Sequence, residues 1–521
     1  MKTTIKMLIT VVLLIAPLLS SAQYFQGLYD ADSSQDWGYD IFLQPDGSYF
    51  VFGTQINTTT TDVWRLFNMK ISADGSTVIG KNILECANAS LFIGVWGEIK
   101  KLPSGNGYVA PFTVEKIYDD TIPRGWGGIL KYNNAGDTTF LKTYTDTSIY
   151  YDAFDALGFM PDGGYIIGGG HGFDTPSYYP AYVIRTDSSG DSIWTHTYQK
   201  YSDQQAVVIN VVTLNDGRIV VGAMSTYQEN IPGFGYIPHN SPWFLLLDSL
   251  GNVIKDTIYG SNYMVGYNCG ELYSDMSGGY IYIGIYDSLF TPDPTDAVNY
   301  PCYIAHLDTN FNITWITEFP YTFEQGHRQG VIMRQLRDSS YILLGDDWSD
   351  CLVHDRGFAA KISRTGEIRW SNTYYAQITQ DAYIRDMVEK TDGSLLFTGQ
   401  SFDDSLPAWH QHYDMWLLGV DSNGCEIPGC NITGIKNIIQ PKTLSFSVYP
   451  NPTYGPLTVN STAGGTFELY TLEGQLISKY RVSTRGTDLT LPPNLAGGVY
   501  MGVFKQDDGG LQKTVRLIYQ P

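Results

Sequence analysis

The sequence predicts an all-β chain: a seven-bladed β-propeller followed by a small C-terminal β-sandwich. Three observations carry this reading. One strand–turn pattern recurs seven times between residues 37 and 430. The composition suits strands and turns, with 39 Tyr, 54 Gly and 11 Trp in 521 residues and only 16% charged residues. The last 80 residues change in both charge and motif.

The first element is a leader. Lys2 and Lys6 precede an apolar run from Met7 to Leu19, and Ser20-Ser21-Ala22 offers small residues for cleavage. This reads as a secretory signal peptide over residues 1–22, with Gln23 first in the mature chain. No Cys follows the cut, so a lipoprotein anchor is not expected. No later stretch reaches the ~20 apolar residues of a membrane-spanning helix, so no transmembrane segment is expected.

The body, residues 23–432, is the repeat. Its copies are DGSYFVFG from Asp46, SGNGYVAPF from Ser104, DGGYIIGG from Asp162, DGRIVVG from Asp216, SGGYIYIG from Ser277, DSSYILLG from Asp338 and DGSLLFTG from Asp392. The strands that follow these turns begin 54 to 61 residues apart. Each copy continues into a variable loop, another apolar strand, a second turn such as RTDSSGDSIW at Arg185, and usually a strand carrying Trp or Tyr. Four short strands per copy make a sheet with two faces to bury, and neighbours in a ring cover both. Closure also limits exposed strand edges. A sandwich or a solenoid array is the competing architecture. The last copy lacks an outer strand with Trp-x-x-x-Tyr. Tyr24–Tyr29 has the look of that strand and is expected to complete the seventh blade.

Charge separates the regions. From Gln440 onward there are seven basic and five acidic residues, against 23 basic and 48 acidic in residues 23–439. A body at −25 repels phosphate backbones, so nucleic acid is not an expected partner. A linker is placed at 433–442 and a separate β module at 443–521. Cysteines stand at 86, 269, 302, 351, 425 and 430 without a CxxC pair, which excludes zinc ribbons and thioredoxin-like chemistry. Disulfides are expected in an exported chain. Cys425 with Cys430, and Cys269 with Cys302, are the natural pairs, leaving Cys86 and Cys351 open.

Chemistry is sparse. Six residues before each turn stand Asp40, Glu98, Ala156, Asn210, Glu271, Ile332 and Asp386, with Asp155 one place off. These positions begin the innermost strands, so a partial acidic ring on the channel axis is expected. It suits a hard cation such as calcium, or a basic or sugar ligand. Alternatively each residue ties its own blade's backbone. No other cofactor is implied. Asp30, Asp32 and Asp36 lack the spacing of a calcium loop. Asp346, Asp347 and Asp350, with Asp403-Asp404, read as solvated loop charges. His354, His410 and His412 read as loop histidines. Gly168-Gly169-Gly170-His171-Gly172 reads as a tight turn. Tyr178, Tyr179, Tyr227, Phe234, Tyr236, Trp243, Tyr300 and Trp409 are placed in loops, where aromatics can stack on sugars or peptides. No HExxH, GxSxG, Walker or dinucleotide motif occurs.

The tail reads TLSFSVYPNPTYGPLTV from Thr443, then FELYTLEGQLI, LPPNLAGGVYMGVF and KTVRLIYQP. Tyr449-Pro450-Asn451-Pro452, Gly455, Leu469-Tyr470 with Gly474, Leu495–Tyr500 including Gly498 and Tyr500, and the basic end at Lys513 and Arg516 resemble the type A C-terminal sorting domain of the type IX secretion system of the Bacteroidota. The resemblance implies export to the cell surface or medium. It also implies the type IX machinery as partner and removal of the tail by its sortase-like peptidase. The body resembles the Asp-Gly-Gly-Tyr-rich propellers found ahead of such tails, for which no shared activity is implied. A binding module for a glycan or protein ligand is the expected function. The alternative is a carboxylate-dependent hydrolase or lyase acting on polysaccharide at the channel mouth.

Overall fold

The computed structural model describes residues 25–29, 35–56, 63–86, 89–93, 99–118, 122–144, 151–172, 179–200, 205–231, 235–259, 263–264, 271–276, 278–286, 302–319, 327–348, 355–376, 381–402, 413–426, 446–461, 464–471, 475–483, 487–492, 494–506 and 512–520. The signal peptide expected over 1–22 lies outside them. Among the described residues no helix is long and apolar enough to cross a membrane. The chain divides into two compact units, Met1–Ile432 and Thr433–Pro521.

The first unit is a seven-bladed propeller. Blade 1 runs Gln35–Leu43, Tyr49–Ile56, Trp64–Ile71, Val78–Leu84, in that order from inside to outside. Blades 3, 4 and 6 repeat this order from Tyr151, Ala206 and His327. In blades 2 and 5 the inner strand comes in two pieces, Ser90–Phe92 with Lys100–Lys101 and Tyr263–Met264 with Leu272–Ser274. Blade 7 has Asp381–Glu389, Leu395–Phe402 and Tyr413–Val420, and its fourth strand is Gln26–Tyr29. That strand pairs antiparallel, Gln26 opposite Leu418 and Tyr29 opposite Met415.

The recurring residues have physical reasons. The turn carboxylates of Asp46, Asp162, Asp216, Asp338 and Asp392 each accept the backbone N–H two residues on, at 2.9–3.1 Å. The glycine after the turn residue takes positive φ, as at Gly47, Gly163, Gly217 and Gly393. The glycine that ends the second strand answers a close approach. A Cβ on Gly53, Gly169 or Gly399 would lie 1.8–1.9 Å from the carbonyl oxygen of Trp37, Ala153 or Tyr383.

That approach comes from a β-bulge. Register shifts one residue before the ring position in five inner strands, at Tyr39, Asp155, Ile209, Val331 and Arg385. Asp155 is therefore the bulged residue of blade 3, which explains its one-place offset. Gly168–Gly172 lies in the extended strand Tyr165–Gly172, not in a turn as the sequence reading had it. Its glycines admit the bulged neighbour.

Blades are latched at their outer edges. Tyr144 hydroxyl donates to Gly190 O (2.8 Å), Tyr198 to Gly251 O (2.7 Å) and Tyr374 to Gly424 O (2.9 Å), each in the second turn of the next blade. Tyr259 reaches Phe311 O, and Thr317 reaches Gly366 O, in the same sense. Between blades 1 and 2 Asn68 Nδ2 donates to Gly136 O at 2.8 Å. Tyr29 hydroxyl donates to Gly75 O and so latches blade 7 to blade 1. Burial pushes the Tyr29 phenol up to about 12, with Asp74 and Tyr49 adding to the rise.

Cys425 is disulfide-bonded, while Cys430, its expected partner, lies outside the described residues, as do Cys269 and Cys351. Cys302 is buried, and Cys86 carries a free thiol.

The second unit is a β-sandwich. Phe446–Tyr449, Pro456–Ser461 and Thr487–Thr490 form one sheet. Leu476–Val482, Gly465–Tyr470, Gly498–Gln506 and Gln512–Tyr519, in that spatial order, form the other. Leu457, Val459, Phe467, Leu469, Phe504 and Leu517 fill the space between them.

Candidate functional site

The expected ring residues are buried, and their partners are protein groups. Ile41 N–H donates to Asp386 Oδ2 at 3.0 Å, which ties blade 1 to blade 7. Ile99 N–H donates to Asp40 Oδ2 at 3.1 Å, which ties blade 2 to blade 1. Asn210 Nδ2 donates to Glu271 Oε2, which ties blade 4 to blade 5. Glu98 lies outside the described residues. Asp40, Asp386 and the Asn210–Glu271 pair thus reach the neighbouring blade, and Asp386 also accepts from Met387 N–H of its own strand, as the sequence alternative supposed.

Sequence reading also missed Arg334, two places after the apolar Ile332. Its guanidinium lies between two carboxylates, with Nε 2.8 Å from Asp386 Oδ1 and Nη2 3.7 Å from Asp40 Oδ1. Burial raises the Asp386 carboxyl above its ordinary range, and Arg334 opposes that rise. Repulsion between ring carboxylates is not the main cause. Arg334 already fills the place a calcium ion would take between Asp40 and Asp386, so this donor set does not fit the ion. Among the described residues no group of three His, Cys, Asp or Glu could hold a metal.

A different sector gathers polar and aromatic groups. It lies where inner strands begin and second strands end, across blades 6, 7 and 1. The residue after Gly53, Gly169, Ala223, Gly345 and Gly399, which are equivalent in register, lies opposite Trp37 in blade 1, Ala153 in blade 3, Val207 in blade 4, Gln329 in blade 6 and Tyr383 in blade 7. The facing residues are Thr54, Gly170, Met224, Asp346 and Gln400. At this position blades 6, 7 and 1 thus carry aromatic or polar groups where blades 3 and 4 carry small or apolar ones.

Five rings run through it. Centroids are 5.4 Å apart for Phe92 and Trp64, 4.6 Å for Trp64 and Trp37, 5.0 Å for Trp37 and Tyr413, and 4.7 Å for Tyr413 and Phe402. Beside them runs a half-buried charge string that ends on the buried Asp346. Arg385, the bulged residue of blade 7, donates from Nη1 to Asp346 Oδ2 of blade 6 at 2.7 Å. Its guanidinium lies 5.5 Å from the Tyr383 ring centroid. Tyr383 hydroxyl donates to Asp355 Oδ2 at 2.9 Å, and Asp355 N–H donates to Asp381 Oδ1 at 2.8 Å. Burial raises the Asp346 carboxyl, against the pull of Arg385, and burial also raises the Tyr383 phenol.

Asp346 and Asp347 are therefore buried residues of a strand, not solvated loop charges. Asp36 is also buried. Trp243 is a core residue, 2% exposed, on a strand of blade 4, and Tyr227 and Tyr236 also lie on strands. Tyr179 is half-buried. Tyr178, Phe234, Tyr300, Trp409, His354, His410, His412, Asp30, Asp32, Asp350, Asp403 and Asp404 lie outside the described residues. His171, taken with the turn glycines in the sequence, is buried and 2.7 Å from Asp152 through Nδ1.

In the second unit the motif residues are structural. Asn451 Nδ2 donates to Arg516 O at 2.6 Å, and its Oδ1 accepts from Ile518 N–H at 2.9 Å, so the Pro-Asn-Pro segment clamps the last strand. Tyr449-Pro450 and Asn451-Pro452 are cis. Gly455 has φ 125°, which a side chain would strain. Tyr500 is buried and donates to Ala496 O at 2.6 Å. Gly498 opens its strand, Lys513 lies opposite Phe504, and Arg516 is exposed opposite Met501. Gly474 lies outside the described residues.

The family model described as "Secretion system C-terminal sorting domain" matches residues 447–520. These residues are a type IX secretion C-terminal sorting domain. A sorting domain makes the chain a secreted or cell-surface protein exported by that system, whose machinery it engages. No curated protein matches the chain. Among solved structures, the β-propeller domain of the Trilobed protease from Pyrococcus furiosus aligns at 11% identity and TM-score 0.38, covering 71% of this chain and 92% of that one. An α-L-arabinofuranosidase of Fusarium graminearum, solved with arabinobiose, aligns at 11% and 0.39, covering 63% and 93%. An α-L-arabinanase of Penicillium chrysogenum aligns at 14% and 0.38, covering 63% and 94%. Scores this low bear on neither the ligand nor the chemistry of this chain.

Proposed function

We propose that this chain is an exported binding module. Its propeller takes a glycan or protein ligand on the sector formed by blades 6, 7 and 1. Outside the cell the sortase-like peptidase of the secretion system removes the sorting domain. The observation that carries the binding reading is local. At the position after the second-strand close approach, aromatic and polar side chains stand in blades 6, 7 and 1 where blades 3 and 4 have small or apolar residues, as a recognition surface on a repeating scaffold would. The buried carboxylates nearby support binding over hydrolysis. Asp346 and Asp386, both raised by burial, are each held by an arginine, so neither stands ready as a proton donor or nucleophile.

The test is a glycan and protein array probed with the mature chain, its Trp37→Ala variant and its Tyr413→Ala variant. Signals present for the parent and lost in both folded variants are expected. Signals unchanged in both would overturn the sector. Release of reducing ends from a bound polysaccharide would favour the hydrolase.

A further inference from the structure

The sector holds polar atoms whose partners are missing from the protein itself. Gln55 is fully buried, and neither its Nε2 nor its Oε1 has a hydrogen-bond partner. Gln400 Oε1 and Asp346 Oδ1 are buried and unpartnered as well. A buried amide left unmade at both ends is costly, and native folds rarely keep one without an occupant. Gln55 stands opposite Asp36 and shares the face of its strand with Tyr49 and Val51, which pack against Met415 and Leu417 of blade 7, so the amide lies on the side of blade 1 that faces the strand of Tyr413.

We infer that this sector binds a neutral polyhydroxylated saccharide, whose hydroxyls pair with Gln55, Gln400 and Asp346 while its C–H faces lie on Trp64 and Tyr413, the outer rings of the row that Trp37 holds together. This deepens the binding reading above and rests on it. Four physical points lead to the saccharide. An amide offers a donor pair and an acceptor, and a hydroxyl both gives and accepts, so neighbouring hydroxyls satisfy both ends. An unpaired carboxylate oxygen accepts from a hydroxyl. The rings of Trp64, Trp37 and Tyr413 stand in succession at centroid distances of 4.6 and 5.0 Å, with Trp37 buried between the other two, so the row offers its half-buried outer members to the C–H faces of a sugar. The acidic body disfavours anionic sugars and phosphates.

The probes are cellohexaose, xylohexaose, mannohexaose and laminarihexaose, with a galacturonate oligomer as the acidic control and a random peptide library as the competitor class. The protein is the mature full-length chain, read by tryptophan fluorescence, calorimetric titration and melting. At least one neutral hexasaccharide is expected to bind and raise the melting temperature, while the galacturonate does not. Gln55→Leu is expected to weaken that binding about tenfold or more, yet leave the unliganded protein as stable or more stable, because it removes an unpaired buried amide. Gln400→Leu, which removes an unpartnered buried amide oxygen, serves for the loss of binding if the first variant fails to fold.

Silence from all four neutral sugars, or undiminished binding by the folded leucine variants, overturns the inference. Peptide binding that depends on Trp37 would overturn the saccharide but keep the sector. Array signals indifferent to Trp37 and Tyr413 would remove the underlying reading itself.

Discussion

At Ser339 and Phe311 the chain adopts the left-handed conformation without glycine, with φ 64° and 62°. Ser339 stands where other blades place Gly47, Gly163 or Gly393, and Phe311 where they place Gly190, Gly251 or Gly424. The strain is similar, about 1 kcal/mol each, but the compensation differs. Phe311 is 1% exposed and packs against Phe244 and Tyr280. Ser339→Gly is therefore expected to stabilise the propeller by roughly 0.5–1 kcal/mol. Phe311→Gly is expected to destabilise it by roughly 3 kcal/mol, since losing a buried phenyl outweighs the relief. Denaturant melts of the two variants decide this. Stabilisation by both would mean that backbone strain, not packing, governs both turns, and destabilisation by both that strain relief governs neither. The turn chemistry was legible in the sequence because each Asp-Gly acts within a few residues. Arg334 was not legible. Its partners Asp40 and Asp386 lie far off in sequence and meet it only because three blades converge.

At the scale of the element, the inner strands show where reading by fixed offsets stops. The six-residue offset found the ring positions but not the bulge beside them, which moves Asp155, Tyr39 and Arg385 to a common place. The bulge leaves no residue signature of its own, while its consequence does, in the glycine at 53, 169 and 399. The aromatic sector was missed for another reason. Trp37, Trp64 and Tyr413 belong to different strands and come together only through blade packing, whereas loop aromatics stand out locally. In the sorting domain a single strand carries the electrostatics. Glu468, on Gly465–Tyr470, is buried between Lys479 and Lys505 and accepts from Tyr470 hydroxyl. The Lys479 contact first, then Lys505 and Tyr470, hold its carboxyl down at about 2. A lowered carboxyl contributes stability that is present above its unfolded value, roughly 4.3, and is lost as pH falls through about 2. Glu468→Gln is thus expected to weaken this strand at pH 7 by roughly 2 kcal/mol. The difference should shrink below pH 4 and vanish near pH 2. Amide exchange of residues 465–470 in the full chain measures it. A pH-independent difference would assign the loss to packing instead of charge.

Over the whole propeller, closure depends on four residues distant in sequence from the blade they complete. Gln26–Tyr29 supplies the outer strand of blade 7, and Gly419 N–H donates to Phe25 O at 2.8 Å just beyond it. Leu28 packs into the core shared by blades 6 and 7, and Tyr29 into the core shared by blades 7 and 1. Tyr29 also makes the latch to Gly75 that other blades make with Tyr144, Tyr198 and Tyr374. The strand therefore fastens both seams of the last blade. Burying Leu28 and Tyr29 contributes roughly 2 kcal/mol each, and ladder and latch bonds about 1 kcal/mol each. Removing residues 25–29 should then withdraw several kcal/mol, a large part of a domain's net stability. The loss should be local first. Amide protection is expected to fall along Tyr413–Val420, whose outer edge is bared, and then along the inner strands at the seam with blade 1. Blades 3 and 4 should keep theirs until global melting. Tyr29→Phe removes the latch alone and should cost about 1 kcal/mol with the strand still paired. A synthetic peptide of residues 23–30 should restore protection to the truncated chain, because the edge it pairs with is otherwise complete. Unchanged protection at Tyr413–Val420 after truncation, or equal losses for truncation and Tyr29→Phe, would show that the ring closes without this strand.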